Sequence, residues 1–187
     1  PRMLGAFCRH FPDIDVQLEI TNRAGVVARM RANEDDLYIM SLPPADIDIV
    51  VRPFLDNPLV VIAPAGHPAA GQRCSLASLA GTSFLLREAG SGTRAAIDRH
   101  LQKLGVEPKV RLTVASNEAI RDLVAGGLGL AILSRHAIAA DPAADGVCIL
   151  DVDYFPIRQP WSIVHLKGKV LSLPAQAFIG ELLQAAG

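Results

Sequence analysis

The chain has 187 residues, half of them hydrophobic, with 18 Lys and Arg against 19 Asp and Glu and a net charge of −1. That length accommodates one large domain or two small lobes, each with its own core. A near-neutral balance supplies no basic field for nucleic acid or an anionic membrane, so DNA-binding activity is expected outside these residues.

Met3, Leu4, Phe7, Cys8 and Phe11 recur at helical spacing, which predicts an amphipathic helix running from the first residue. A helix opening without a cap implies further chain before Pro1. Pro12-Asp13 marks a turn, and the alternation over residues 14–20 predicts a strand. Asn22 is placed to cap a helix over 23–32, with Val26, Val27 and Met30 as its buried stripe. A short strand over 36–40 runs into Ser41-Leu42-Pro43-Pro44, where two prolines force a loop. Residues 47–51 and 59–63 are rich in β-formers, the second run apolar enough for burial on both faces.

The pattern restarts at Gly66-His67-Pro68. A turn over 75–79 leads to a strand over 83–87, a glycine-bearing loop, and a helix over 93–104 with Ile97, Leu101 and Leu104 on one face. A strand over 109–115 precedes a helix capped by Ser116 or Asn117 and stopped by Gly126-Gly127. Residues 128–133 read as a buried strand, and Ser134 caps a short helix ending before Pro142. A strand over 161–166 and a helix opened by Ser172 and Pro174 close the chain.

This alternation predicts α/β layers with mostly parallel sheets. Residues 65–163 form a self-contained series flanked by the strands 59–65 and 161–166. Pairing of those two strands would make a double crossover between a first lobe, residues 1–64 and 164–187, and a second lobe, residues 65–163.

Candidate chemistry concentrates in Gly90-Ser91-Gly92-Thr93-Arg94. Glycines admit close backbone approach, a helix beginning here aims unpaired N–H groups outward, and Arg94 offers a planar fork for carboxylate or phosphate. The plain structural reading is a capped helix, with Arg94 solvated or paired to Glu88 or Asp98. Ser116 and Asn117 open a second helix at the carboxyl end of a strand, where open α/β sheets place ligands, although capping alone would explain them. His10, His67, His100, His136 and His165 are dispersed, so no metal is expected. Cys8, Cys74 and Cys148 form no CxxC pair, which argues against a disulfide framework or zinc knuckle and for a reducing cytoplasm. No apolar run is long enough to span a bilayer. Neither a GxSxG elbow nor a dinucleotide fingerprint is present, because Gly126-Gly127-Leu128-Gly129 ends a helix and opens a strand. No catalytic residue and no cofactor are expected.

The segments Arg87-Glu88-Ala89-Gly90-Ser91-Gly92-Thr93-Arg94, Ala115-Ser116-Asn117-Glu118-Ala119-Ile120-Arg121 and residues 124–133 together resemble LysR-type transcription regulators. So do residues 59–68 and the closing Leu171-Ser172-Leu173-Pro174-Ala175-Gln176-Ala177-Phe178. Residues 36–44 and 150–158, followed by Trp161, are similar to the subgroup that regulates carbon-dioxide-fixation (RuBisCO) operons. The resemblance implies a two-lobed type 2 periplasmic-binding-protein-like fold with a double-strand hinge and an effector cleft between lobes. It further implies a winged helix-turn-helix and linker absent from this chain. Ser41 and Leu42 match a family ligand position and join Ser91, Gly92, Thr93, Arg94, Ser116 and Asn117 as the expected effector site.

The implied effector is a small anionic metabolite, a sugar phosphate or a nicotinamide nucleotide. The implied assembly is a homodimer, through elements such as residues 3–11 and 26–30, and a tetramer in the full protein. A transporter's solute-binding protein shares the fold and is the alternative, and an enzyme on the same scaffold is a third reading without a visible catalytic constellation.

Overall fold

The computed structural model describes residues 2–79 and 81–185, so the expected helix start at Pro1 lies outside the described residues. The chain opens with α1 (Arg2–His10), α2 (Arg23–Ala32), β1 (Tyr38–Met40) and β2 (Ile49–Leu55). It continues through β3 (Pro58–Pro64), β4 (Arg73–Cys74), β5 (Ser83–Arg87), α3 (Gly92–Leu104), β6 (Lys109–Val114) and α4 (Asn117–Ala125). Then follow β7 (Leu130–Ser134), β8 (Val147–Val152), β9 (Ile157–Arg158), β10 (Trp161–Leu166) and α5 (Leu173–Gln184). Two compact units result, Pro1–Leu55 with Pro160–Gly187, and Asp56–Gln159.

The first unit is built on an antiparallel sheet ordered β1-β10-β2. Successive side chains of β10 point to opposite faces. Val164 accordingly joins Met30, Tyr38 and Met40 beneath α2, while Ile163 joins Ile179 and Leu182 of α5. Phe7 of α1 meets Phe178 of α5 edge-on, with ring centroids 5.0 Å apart. Asn22 caps α2 as expected, its side chain accepting from the Gly25 N–H at 3.1 Å. The strand expected over residues 14–20 does not form, and Leu18 and Ile20 are exposed. Alternation states which face a strand would bury, and no ladder partner reaches this segment among the described residues.

The far end of α2 is fastened to β1 by a polar cluster. Arg29 grips Asp35 with two bonds of 2.9 and 2.7 Å, and Lys169 donates to the Asp35 carbonyl at 2.8 Å. The Arg29 hydrogen bonds hold the Asp35 carboxyl below the usual carboxylate range. A depressed folded-state pKa contributes stability above the unfolded value near about 4, and that contribution fades as pH falls through the folded value. Asp35→Asn is therefore expected to lower stability at pH 7, with the difference shrinking progressively as pH falls below about 4. Urea titrations of both proteins across pH check this, and a constant difference down to pH 2 would contradict it.

The second unit carries a sheet in the order β4-β8-β3-β7-β5-β6, with β9 also paired to β3. β5 runs parallel to β6 and β7 and β4 parallel to β8, but β3 is antiparallel to β7, β8 and β9. This mixed sheet, with the antiparallel one before it, corrects the expectation of mostly parallel sheets. β3 is central, and its alternate faces feed two cores, Val61 with Leu86 and Ile97, and Ile62 with Leu85 and Ile120.

The expected pairing of residues 59–65 with 161–166 is also corrected. β3 bonds within the second unit and β10 within the first, so the chain passes between units at 55/56 and 159/160. Residues 56–64 belong to the second unit and 160–163 to the first, the reverse of the expected assignment. Apolar composition announces burial of both strands without naming the neighbour of either.

Candidate functional site

Parallel β5 and β6 are neighbours, and Arg87 at the carboxyl end of one is in register with Val114 at the end of the other. α3 and α4 therefore begin side by side along one sheet edge. This geometry collects Ser91, Gly92, Thr93, Arg94, Ser116 and Asn117 in one place.

The start of α3 keeps unspent donors. Ser91 is buried and caps the helix, accepting from the Arg94 N–H at 3.5 Å. The first-turn N–H groups of Gly92 and Thr93 have no acceptor among the described residues, as first-turn donors lack intrahelical partners. The half-buried Thr93 hydroxyl forms no hydrogen bond among the described residues either.

Arg94 takes the pairing with Asp98 that the plain structural reading allowed, rather than standing as a free fork. Its Nε donates to both Asp98 oxygens at 2.8 and 2.9 Å, and its Nη1 donates to the Arg87 carbonyl at 3.1 Å. At i,i+4 the carboxylate is within immediate reach, so the charge is compensated on α3 itself.

The start of α4 is already occupied. The Ser116 hydroxyl accepts from the Ala119 N–H at 3.1 Å and donates to Glu118 at 2.8 Å. The Glu118 carboxyl lies below its usual range because its own backbone N–H and the Ser116 hydroxyl bond to it, with Arg121 and Arg87 adding to the effect. A resident carboxylate thus sits where sequence reasoning expected open donors.

Arg87 was not among the expected site residues, yet it ties the edge together. Its Nη1 donates to Asn117 Oδ1 at 2.7 Å, and Nε and Nη2 donate to Glu88 at 2.9 and 3.2 Å. An arginine directly after the buried run Phe84-Leu85-Leu86 was the available signal, because a half-buried guanidinium at a strand end needs partners.

Ser41 and Leu42 lie in the first unit, at the carboxyl end of β1. Ser41 is buried, and its hydroxyl forms no hydrogen bond among the described residues. Leu42 adopts a left-handed φ of 59°, which costs a branched side chain on the order of 1 kcal/mol. Arg23 supports it, donating from Nε to the Leu42 carbonyl at 2.8 Å.

Among the described residues no group of three His, Cys, Asp or Glu side chains is gathered to hold a metal, and no helix is long and apolar enough to cross a membrane.

A family model described as the LysR substrate binding domain matches residues 1–187. The chain is 40% identical over 183 residues to the HTH-type transcriptional activator CmpR of Synechocystis sp., covering 97% of this chain and 60% of that protein. It is 41% identical over 187 residues to the RuBisCO operon transcriptional regulator of Acidithiobacillus ferrooxidans, covering 100% and 60%. The chain thus spans about 60% of the length of these curated relatives. Among solved structures, the regulatory domain of Synechocystis PCC6803 CcmR in complex with 2-PG superposes with a TM-score of 0.94 at 44% identity, covering 100% of this chain and 90% of that one. The effector-binding domain of QuiR in complex with shikimate shares the fold, with a TM-score of 0.83 at 22% identity, covering 100% and 89%.

Proposed function

This chain belongs to the LysR substrate-binding-domain family, and from that premise we propose that it senses a small phosphorylated metabolite for a regulator of carbon-fixation genes. The observation that carries the proposal is the set of unspent donors opening α3, the Gly92 and Thr93 N–H groups and the Thr93 hydroxyl. Such a terminus favours an anion through its free N–H groups and about half a positive charge. Arg87 and Asn117 fix the neighbouring α4 terminus against it. Ser41 and Leu42, described in the first unit by themselves, are retained as proposed effector contacts, a buried hydroxyl beside a strained turn.

The compound bound to the CcmR domain, 2-PG, is 2-phosphoglycolate, which makes it the first effector to try here. It is neither a sugar phosphate nor a nicotinamide nucleotide, so the proposed class widens to small phosphorylated metabolites. With a net charge of −1 these residues have no electrostatic footprint for DNA, and specific operator contact is assigned elsewhere in the regulator. Cytoplasmic residence, pairing into dimers and tetramers in the full protein belong to the same proposal. The relatives are named as regulators, which favours this reading over a transporter's solute-binding protein.

Calorimetry with 2-phosphoglycolate and with glycolate tests the reading. The phosphorylated compound is expected to bind at least about tenfold more tightly, and Thr93→Val should cost it about 1 to 2 kcal/mol, the scale of one unpaired ligand oxygen. Because a phosphate monoester's second pKa is near 6, affinity should fall between about pH 7.5 and pH 5.5 as the dianion is lost. Equal binding of glycolate, or an unaltered affinity in Thr93→Val, would sink the proposal.

A further inference from the structure

A concavity lies wholly within the first unit, and none of its lining residues belongs to the α3 edge. It encloses about 480 Å³ between α5 and the sheet formed by β2 and β10, a size typical of small-ligand sites. Arg52 is in register with Ile163, and Val50 with His165, so Arg52 and His165 rise from one sheet face. That face is the one covered by α5, because Ile163 packs on Ile179 and Leu182.

The polar side of this groove is cationic. Arg52 is exposed and forms no hydrogen bond or ion pair among the described residues. The Lys169 ammonium donates to Asn33 Oδ1 and the Asp35 carbonyl, both at 2.8 Å, which leaves its third N–H unspent. Its nearest carboxylate oxygen, of Asp36, is 3.9 Å away. His165 is 9% exposed and lines the groove, with Nδ1 bonded to the Leu166 carbonyl at 3.0 Å. The carbonyl accepts, so Nδ1 is spent as a donor, and Nε2 has no partner among the described residues. Glu181 on α5 is engaged by His10 at 3.2 Å.

The opposite wall is apolar, formed by Ile179 and Leu183 around Gly180. A Cβ added to Gly180 would meet nothing within 4 Å. Glycine inside a helix destabilises it by roughly 0.5–1 kcal/mol relative to alanine, and no close contact here calls for it. Its effect is to keep the groove open along α5.

We infer that this groove is a second ligand site, for an amphipathic organic anion whose acidic group meets Arg52 and Lys169 while its apolar body lies along Ile179 and Leu183. NMR titration of the isotope-labelled chain with hexanoate and with phenyl phosphate tests it, with hexanol as the neutral control. At least one of the two anions should give saturable amide shifts confined to residues 163–171 and 176–183 by about 10 mM, and hexanol should give none. Arg52→Glu should weaken that binding about tenfold or more, and Gly180→Leu should abolish it by filling the groove. Gly180→Ala, melting no lower than the parent, shows that α5 tolerates a side chain there, and Thr93→Val should leave this binding untouched. The site is refuted if neither anion produces saturable shifts, if hexanol matches them, or if Gly180→Leu binds as the parent does.

Discussion

Gly129→Ala is expected to destabilise the chain by about 3 kcal/mol or more, at or beyond the upper end of forced overpacking, because the neighbour is rigid backbone. A Cβ at Gly129 would lie 2.3 Å from the Ser83 carbonyl oxygen and 3.1 Å from its carbon. Those atoms are backbone, at the first residue of β5, so no rotamer change relieves the clash. The next residue along, Leu130, is in register with Phe84, which makes this close approach the entry to the parallel β5–β7 ladder. Splaying that ladder would expose Leu85 and Ala131, both fully buried. At about 2–4 °C per kcal/mol for a chain of this size, the melting temperature should drop by roughly 6–12 °C or more. Gly127 is the internal control: its φ is 80°, but a Cβ there meets nothing within 4 Å. Gly127→Ala should therefore cost only about 1 kcal/mol, for the left-handed backbone alone. Equal urea midpoints for the two variants would show that the steric account is wrong.

Arg87→Met is expected to weaken binding of 2-phosphoglycolate by about 2–3 kcal/mol, roughly 30- to 150-fold. The guanidinium spans the two helix starts, holding Asn117 at 2.7 Å and Glu88 at 2.9 and 3.2 Å, while its own carbonyl is held by Arg94. Arg87 and Arg94 face Glu88, Asp98 and Glu118, so removing one cation leaves a surplus of carboxylate beside the α3 donors and repels a ligand phosphate. Asn117→Ala should give a smaller loss in the same direction. The double variant should lose less than the two singles combined, because both changes break the one Arg87–Asn117 bond. Calorimetry on the four proteins decides the matter, and strictly additive losses would mean that Arg87 does not act through Asn117.

Much of the local structure was legible beforehand. Asn22, Ser116 and Ser172 cap helices where read, and β10 falls on the residues expected of it. Caps and periodicity are properties of a few consecutive residues, so a linear reading recovers them. β4, β8 and β9 went unread, since β4 and β9 are two-residue strands and β8 mixes exposure without clean alternation.

The candidate site divides along the same line. Ser91, Gly92, Thr93, Ser116 and Asn117 were legible as helix-start residues because strand-to-helix turns and N-caps are written locally. The Arg94–Asp98 pair was also among the readings the sequence allowed, because i,i+4 spacing is local, whereas Glu118 filling the start of α4 and Arg87 bridging to Asn117 thirty residues away were not. By itself the sequence determined the helix caps, the buried strands and the family. Tertiary structure alone decided that β3 pairs with β7 and β8, β10 with β1 and β2, and which charges at the α3 edge are spent. Strand partners and ion pairs are chosen by three-dimensional proximity among groups that are chemically equivalent along the chain, and a linear pattern carries no term for that distance.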